Sequence, residues 1–166
     1  GEVVTTLGTT VSEDDKIYVN GRLLKSEGKA YYVLNKARNT ISSVSDEKGR
    51  KTVMDGLDVS KRIYPVGRLD FDTTGVLLLT NDGELANALM HPSSKIEKVY
   101  IAKIKGILMP KEINELKNGV IIDGRKTAKA KVKVRKVDNE SRTSIVELII
   151  HEGRNHQVKK MIEAVG

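Results

Sequence analysis

The segment that organises this chain is residues 65–84, with the sequence PVGRLDFDTTGVLLLTNDGE. Its apolar run, residues 75–79, is short and bounded by turn residues, which is typical of a buried strand. Asn81 or Asp82 then supplies the N-cap of a short helix. Asp70 therefore lies on a loop that leads into a buried strand, a place where a rigid scaffold can present a reactive group.

Asp70 has two interpretations before any family is considered. An Asp beside Gly and Thr residues is most often a turn residue that bonds its own backbone. Residues 70–74 also match the Asp-x-Asp-x-Thr motif of magnesium-dependent phosphatases of the haloacid dehalogenase type. Those enzymes place the motif directly after a buried strand and need a second acidic cluster for magnesium. Residues 64–68 instead form a turn, and no Asp-Asp pair follows, which disfavours a phosphatase.

A longer match favours another function. The sequence GRLDFDTTGVLLLTNDGEL, residues 67–85, closely resembles the signature of the bacterial rRNA pseudouridine synthases of the RsuA/RluB group. In that group the Asp of Gly-Arg-Leu-Asp is the catalytic nucleophile, and the matching residue here is Asp70. The resemblance implies that Arg68 fills the space left by a flipped nucleotide or contacts the RNA backbone.

Two further stretches resemble motifs of the same family. Lys98-Val99-Tyr100 begins an alternating strand, and by composition alone Tyr100 would be a core residue. It resembles the second family motif, whose tyrosine stacks on the target base. EGRNHQVKKM, residues 152–161, resembles the third motif, whose arginine pairs with the catalytic Asp. The resemblance therefore implies that Arg154 pairs with Asp70.

The composition indicates a polyanionic partner and limits the available chemistry. The chain carries a net charge of +7 with a pI near 9.5, which is compatible with RNA, DNA or an anionic membrane surface. The sequence has no cysteine, which excludes disulfides and thiolate chemistry and fits a reducing cytoplasm. No apolar run has the length of a transmembrane helix. We expect no metal site and no cofactor.

The basic segment 126–137, KTAKAKVKVRKV, predicts a strand with a cationic face and a small apolar face. Like charges on one face repel each other, and either water or a bound polyanion relieves that repulsion. Both alternatives stay open for this face. The candidate RNA contacts in the whole chain are Lys98, Lys129, Lys131, Lys133, Arg135, His156 and Lys159.

Strands outnumber helices, and many neighbouring strands are joined by connections of hairpin length. The sequence therefore predicts an α+β fold, with a mixed, largely antiparallel sheet and a few packed helices. The resemblance implies a pseudouridine synthase catalytic domain over residues 27–166. Residues 1–26 resemble the end of an S-four-type RNA-binding domain, and we expect both ends of the chain to be shorter than in the family.

The resemblance implies isomerisation of a specific uridine to pseudouridine in a structured stem-loop of ribosomal RNA. The target is flipped out of the RNA, and the carboxylate either attacks C1′ or abstracts a proton from C2′. Large-subunit (23S) rRNA is the favoured target, and small-subunit (16S) rRNA is the alternative. A bacterial, cytoplasmic monomer is expected. A non-catalytic RNA-binding module would explain the charge, but not an Arg-Leu-Asp loop accompanied by Tyr100 and Arg154.

Overall fold

The computed structural model describes residues 1–12 and 14–166. The strands are β1 (Tyr18–Val19), β2 (Arg22–Leu23), β3 (Tyr31–Lys36), β4 (Tyr64–Val66), β5 (Gly75–Thr80), β6 (Lys98–Lys105), β7 (Ile121–Ile122), β8 (Arg125–Lys126), β9 (Lys131–Asp138) and β10 (Thr143–Ile150). The helices are α1 (Gly83–Met90), α2 (Pro110–Asn118) and α3 (Gln157–Glu163), with a 3₁₀ turn at Pro92–Ser94. The predicted α+β class is confirmed, whereas the turn predicted at residues 64–68 is wrong for residues 64–66, which pair with β5 as β4.

The strands form two three-stranded sheets and two short hairpins. One sheet has the order β3-β5-β4, the other has the order β6-β10-β9, and the hairpins are β1-β2 and β7-β8. Each of these strand pairs is antiparallel. We refer to residues 27–90 as the Asp70 half and to residues 98–166 as the Tyr100 half. The predicted antiparallel pairing is therefore distributed over two sheets, one in each half.

The Asp70 half contains a small apolar core. Leu77 and Leu79 on β5 alternate toward the interior, as the apolar run predicts, and pack with Ala30, Val53 and Ile63. Asp82 caps α1 by accepting a hydrogen bond from the backbone N–H of Leu85, which confirms the predicted helix start.

The spacing of Leu85 and Leu89 in the sequence predicts that they share one face of α1. Leu85 is 38% exposed, whereas Ala86 is buried. The short helix α1 therefore buries Ala86 and leaves Leu85 partly exposed to solvent.

The Tyr100 half contains the larger core. Residues of β10 alternate strictly, with Val146, Leu148 and Ile150 buried. Leu116 of α2 and Met161 of α3 complete this interior, and both are fully buried. The helical spacing of apolar residues along α3 in the sequence predicts this buried face, and the structure confirms it.

The basic segment folds partly as predicted. Lys126 belongs to the short strand β8, so the long strand begins only at Lys131. The register against β10 shifts between Ile145 and Val146, and alternation on β9 ends after Val134. A β-bulge adds a residue on one strand, and this explains why the neighbours Arg135 and Lys136 are both exposed; residues 137 and 138, at the end of β9, are exposed as well.

The described residues before Ala30 are exposed, and among them β1 and β2 form a hairpin. The division of the chain at residue 26 stays a prediction. Within the described ranges no helix combines the length and apolarity needed to cross a bilayer.

Candidate active site

The loop before β5 brings Asp70 to a cleft between the two halves of the molecule. The backbone N–H of Thr73 donates to the carbonyl of Asp70 at 3.0 Å, which closes a tight turn around the loop. The Asp70 side chain is 30% exposed. Residues from both halves line the cleft, including Arg68, Asp70, Tyr100 and Arg154. The cleft thus gathers the candidate catalytic residue and its candidate substrate contacts, although they are up to 86 positions apart.

Two side chains at the start of α3 lie beside Asp70. Nδ1 of His156 is 2.9 Å from the carboxylate oxygen Oδ2 of Asp70, and Nζ of Lys159 is 3.7 Å from the same oxygen. Lys159 also donates to both carboxylate oxygens of Asp72, at 2.7 and 3.0 Å. The hydrogen bond from Lys159 lowers the pKa of Asp72, and the same contact raises the pKa of Lys159. The two carboxylates therefore share one lysine.

Arg154 lies at the cleft, but its guanidinium bonds differently from the expectation. Instead of pairing with Asp70, it donates to the backbone carbonyls of Arg125 at 3.1 Å and Ile122 at 2.5 Å. These carbonyls belong to the β7-β8 hairpin, so Arg154 holds that hairpin against the cleft. The side chains that contact Asp70 are His156 and Lys159, which were predicted only as RNA contacts.

Tyr100 contributes an aromatic ring to the same cleft. It is half-buried, and its strand partner Leu148 lies in the core. Burial, and to a smaller extent the charge of Asp70, raise the pKa of the Tyr100 hydroxyl. The phenol therefore stays neutral at physiological pH and can donate a hydrogen bond while its ring offers a stacking face.

A buried glutamine holds the loop that carries Arg154 and His156. Gln157 accepts a hydrogen bond from the backbone N–H of Arg154 at 3.0 Å and donates to the carboxylate of Glu152 at 2.6 Å. Glu152 also accepts from the backbone N–H of Ala128. Neither residue could be predicted from the sequence, because an amide and a carboxylate in a polar loop give no pattern that distinguishes a supporting contact from solvent exposure.

Lys36 supports the other side of the cleft and was also missed. It is 1% exposed, and its ammonium donates to the carbonyls of Ala37, Thr40 and Phe71. Burial lowers the pKa of Lys36, while the charges of Asp72 and Asp70 oppose that shift. A signal was present in the sequence, because the alternation of β3 places Lys36 on the same face as Leu34.

The basic candidates divide between two surfaces. His156 and Lys159 lie at the cleft. Lys98 donates to the carbonyls of His151 and Glu152, which lie between β10 and α3. The cations of β9 lie on the opposite face of their sheet from Tyr100, since Val132 and Leu148 share the buried face with it. Lys131 and Arg135 on that outer face pair with Glu97 and Glu147. Lys129 and Lys133 are exposed there.

The arrangement suits covalent chemistry beside a planar group. A partly exposed carboxylate is contacted by His156 and Lys159, an aromatic ring flanks it, and Arg68 is exposed at the rim. A carboxylate so placed can act as nucleophile toward a sugar carbon or as a base at its neighbour.

Comparison with known proteins identifies related chains. The sequence model described as RNA pseudouridylate synthase matches residues 30–164. Ribosomal large subunit pseudouridine synthase B of Bacillus subtilis (strain 168) is 50% identical over 167 residues, covering 100% of this chain and 68% of that protein. An uncharacterised RNA pseudouridine synthase of Aquifex aeolicus (strain VF5) is 38% identical, covering 100% of this chain and 67% of its own length. A crystal structure of a pseudouridylate synthase is 30% identical and superposes with a TM-score of 0.73 over 95% of this chain and 67% of that one.

Proposed function

This chain belongs to the RNA pseudouridylate synthase family, and we propose that it converts one uridine of large-subunit rRNA to pseudouridine with Asp70 as the nucleophile. The observation that carries the proposal is the position of Asp70. Its carboxylate lies in a cleft formed by both halves, 2.9 Å from His156 and beside Tyr100. The Gly-Arg-Leu-Asp sequence of the family motif provides this residue.

The reaction needs one carboxylate that first starts cleavage of the N1–C1′ bond and then returns to its free form. The N1–C1′ bond of uridine breaks, the uracil turns while it is held in the cleft, and a new bond joins C5 to C1′ before the proton on C5 is lost. Asp70 starts this sequence by attacking C1′ or by removing the proton from C2′. Carboxylates perform comparable attacks on sugar carbons in glycosidases, from which they leave again.

His156 and Lys159 fix the direction of the attacking oxygen. Both approach the same oxygen of Asp70, Oδ2, from α3. A hydrogen bond and an ion pair to Oδ2 leave Oδ1 as the oxygen that faces the substrate. Asp72 anchors Lys159 by two further hydrogen bonds, so it supports the site without touching the sugar.

The uridine must leave the RNA stack to reach Asp70, because a base inside a helix does not expose its C1′ to a recessed carboxylate. Tyr100 is the aromatic face on which the flipped uracil stacks, and Arg68 at the rim occupies or borders the vacated position. Arg154 closes the cleft by fixing the β7-β8 hairpin. Lys98 and the exposed Lys129 and Lys133 contribute phosphate contacts.

Support for the target subunit comes from a relative. The Bacillus subtilis protein that is 50% identical is named for the large ribosomal subunit. We therefore propose a stem-loop of 23S rRNA as substrate, with the 16S rRNA as the alternative target. Pseudouridine mapping of both rRNAs from cells lacking this protein distinguishes the two, since only the true target loses its modification. We also propose a cytoplasmic monomer, with residues 27–166 as the catalytic domain.

Replacement of Asp70 tests the mechanism. Asp70→Asn keeps the side-chain shape but removes the nucleophile, so we expect activity to disappear while folding and RNA affinity stay close to wild type. Asp72→Asn is the matched control, since it is adjacent, also acidic and also bonded by Lys159, and most activity should remain. The assay is pseudouridine formation in rRNA transcripts with a metal chelator present. Turnover by Asp70→Asn contradicts the mechanism, and pseudouridine formation with the chelator present excludes a magnesium-dependent phosphatase.

Replacement of Tyr100 tests stacking. Tyr100→Phe keeps the ring and should bind substrate nearly normally, whereas Tyr100→Leu loses a contact worth about 1–3 kcal/mol per stacked base. If the hydroxyl also moves a proton, Tyr100→Phe lowers kcat without raising KM. Wild-type kinetics from both variants would show that Tyr100 only packs in the core.

A further inference from the structure

A buried serine holds the backbone on which Asp70 is mounted. Ser42 is 6% exposed, and its hydroxyl makes two reciprocal hydrogen bonds with one residue. The backbone N–H of Leu69 donates to Oγ of Ser42 at 3.1 Å, and that hydroxyl donates to the carbonyl of Leu69 at 2.9 Å. The carbonyl of Leu69 belongs to the peptide unit that contains the nitrogen of Asp70. Ser42 therefore fixes the peptide plane directly before Asp70.

Ser42 is itself held in place by its neighbours. Ile41 donates its N–H to the carbonyl of Lys51 and accepts from the N–H of Val53, both at 2.9 Å, which ties the segment to the Asp70 half. On the other side, the N–H of Thr40 lies 3.4 Å from the carbonyl of Phe71. The segment 40–42 therefore contacts the backbone on both sides of Asp70. The hydrogen bonds between the Ser42 hydroxyl and Leu69 are shorter than the contact between Thr40 and Phe71.

We propose that Ser42 is a positioning residue for the reaction, which acts on Asp70 through the backbone of Leu69; this inference rests on the proposed role of Asp70. Contacts from α3 hold the carboxylate end of Asp70, and Ser42 holds its main-chain end. A side chain anchored at both ends keeps one direction toward the sugar. Misplacement of a reacting group by about 1 Å costs about 100-fold in rate.

The contacts with Leu69 require a side chain at position 42 that can both accept and donate a hydrogen bond. A hydroxyl can accept from one group and donate to another, whereas a methyl group can do neither. Ser42→Ala leaves the N–H and the carbonyl of Leu69 without these partners, and the loop relaxes to find others. Ser42→Thr keeps the hydroxyl. Ser42→Cys keeps nearly the same volume with a thiol that bonds weakly, so its effect should lie between those of Ser and Ala.

The matched control is the adjacent serine. Ser43 also bonds through its hydroxyl, but its partner is the carbonyl of Ser45 within the same loop. Ser43→Ala therefore removes a serine hydroxyl from the same segment without changing the contact to Leu69. Any effect common to both alanine variants results from a change in the loop and not from a change in the position of Asp70.

The experiment measures kcat and KM on a 23S stem-loop transcript, RNA affinity by fluorescence anisotropy, and the folded fraction by circular dichroism. We expect Ser42→Ala to lower kcat at least tenfold per folded molecule with KM and affinity unchanged. Ser42→Thr should stay within threefold of wild type, Ser42→Cys should be intermediate, and Ser43→Ala should be normal. Ser42→Cys supplies the result if Ser42→Ala does not fold.

Equal kcat per folded molecule for the Ser42→Ala or Ser42→Cys enzyme and wild type overturns the inference, as does an equal loss in Ser43→Ala. Asp70→Asn, assayed in parallel, distinguishes a failure of the positioning role of Ser42 from a failure of the proposed function. If Asp70→Asn is inactive and Ser42→Ala is normal, only the positioning role fails. If Asp70→Asn is active, the proposed function itself fails.

Discussion

The Asp70 half and the Tyr100 half each contain a three-stranded antiparallel sheet, yet their interiors differ in chemistry. The Tyr100 half packs a continuous apolar cluster around Leu148 and Met161. The apolar cluster of the Asp70 half is smaller, and next to it lie buried polar side chains that bond to backbone groups, namely Lys36, Thr40, Ser42, Thr52, Thr80 and Asp82. Apolar packing fixes the scaffold, and polar contacts fix the loop that must present a reactive group in one direction.

The difference follows from what each half must hold. A sheet covered by two helices can bury apolar side chains on one face, and packing of that kind is non-directional. A loop exposes backbone N–H and carbonyl groups, and these need partners when the loop is partly buried. The Asp70 half therefore relies more on buried polar side chains, six of them, against three in the Tyr100 half, namely Thr127, Ser144 and Gln157. Three predictions test this contrast, from the largest expected effect to the smallest.

The largest effect is expected in the apolar core. Leu148 is fully buried, so Leu148→Ala should lower the free energy of unfolding by about 2–5 kcal/mol, the range for cavity-forming substitutions. Leu79→Ala in the smaller cluster should cost less, because fewer apolar neighbours surround the cavity. Ile149→Ala is the control, since Ile149 is adjacent but faces outward. Urea denaturation measures all three. A larger loss from Leu79→Ala would reverse the proposed contrast.

The second effect concerns a close backbone approach in the Tyr100 half. Gly119 ends α2 with φ 89° and ψ 138°, and a Cβ there would lie 2.4 Å from the carbonyl oxygen of Thr127. Strained backbone alone costs about 1–3 kcal/mol, and the clash adds to it, so Gly119→Ala should be strongly destabilising. Gly124→Ala is the control, because Gly124 also has positive φ but open space around it. Equal unfolding midpoints for the two variants would contradict the packing argument.

The third effect is acid sensitivity in the Asp70 half. The Tyr31 hydroxyl, the backbone N–H of Leu85 and the ammonium of Lys29 lower the pKa of Asp82 to about 2. The folded-state pKa lies below that of the unfolded chain, so this stabilisation is complete above about pH 4 and is lost as the pH falls toward 2. Asp82→Asn keeps an N-cap but removes the charge.

Thermal unfolding at pH 7 and at pH 3 measures this effect. We expect the melting temperature of wild type to fall more between the two pH values than that of Asp82→Asn. Asp123→Asn is the control from the other half, because Asp123 pairs with Lys160 through a side chain that is 56% exposed, where an ion pair contributes little. An unchanged pH response in Asp82→Asn would show that Asp82 does not contribute to the acid sensitivity.

Much of the fold and the central residue of the site could be predicted from local patterns. The burial of β5, the Asp82 cap, the alternation of β6 and β10 and the apolar stripe of α3 are all periodic or short-range signals. The position of Asp70 on the loop before β5 follows from the same signals. The bulge between β9 and β10 was not predictable, because it depends on the register between two strands.

The sequence by itself determined the family and the antiparallel α+β class, and it predicted Asp70 and Tyr100 as site residues, because these depend on contiguous motifs and on side-chain periodicity. Only the tertiary structure decided which side chains contact Asp70. His156 and Lys159 approach its carboxylate and Ser42 holds its backbone, while Arg154 bonds the β7-β8 hairpin instead. The physical reason is distance along the chain. Contacts between residues dozens of positions apart depend on how the two halves meet, and no local pattern records that geometry.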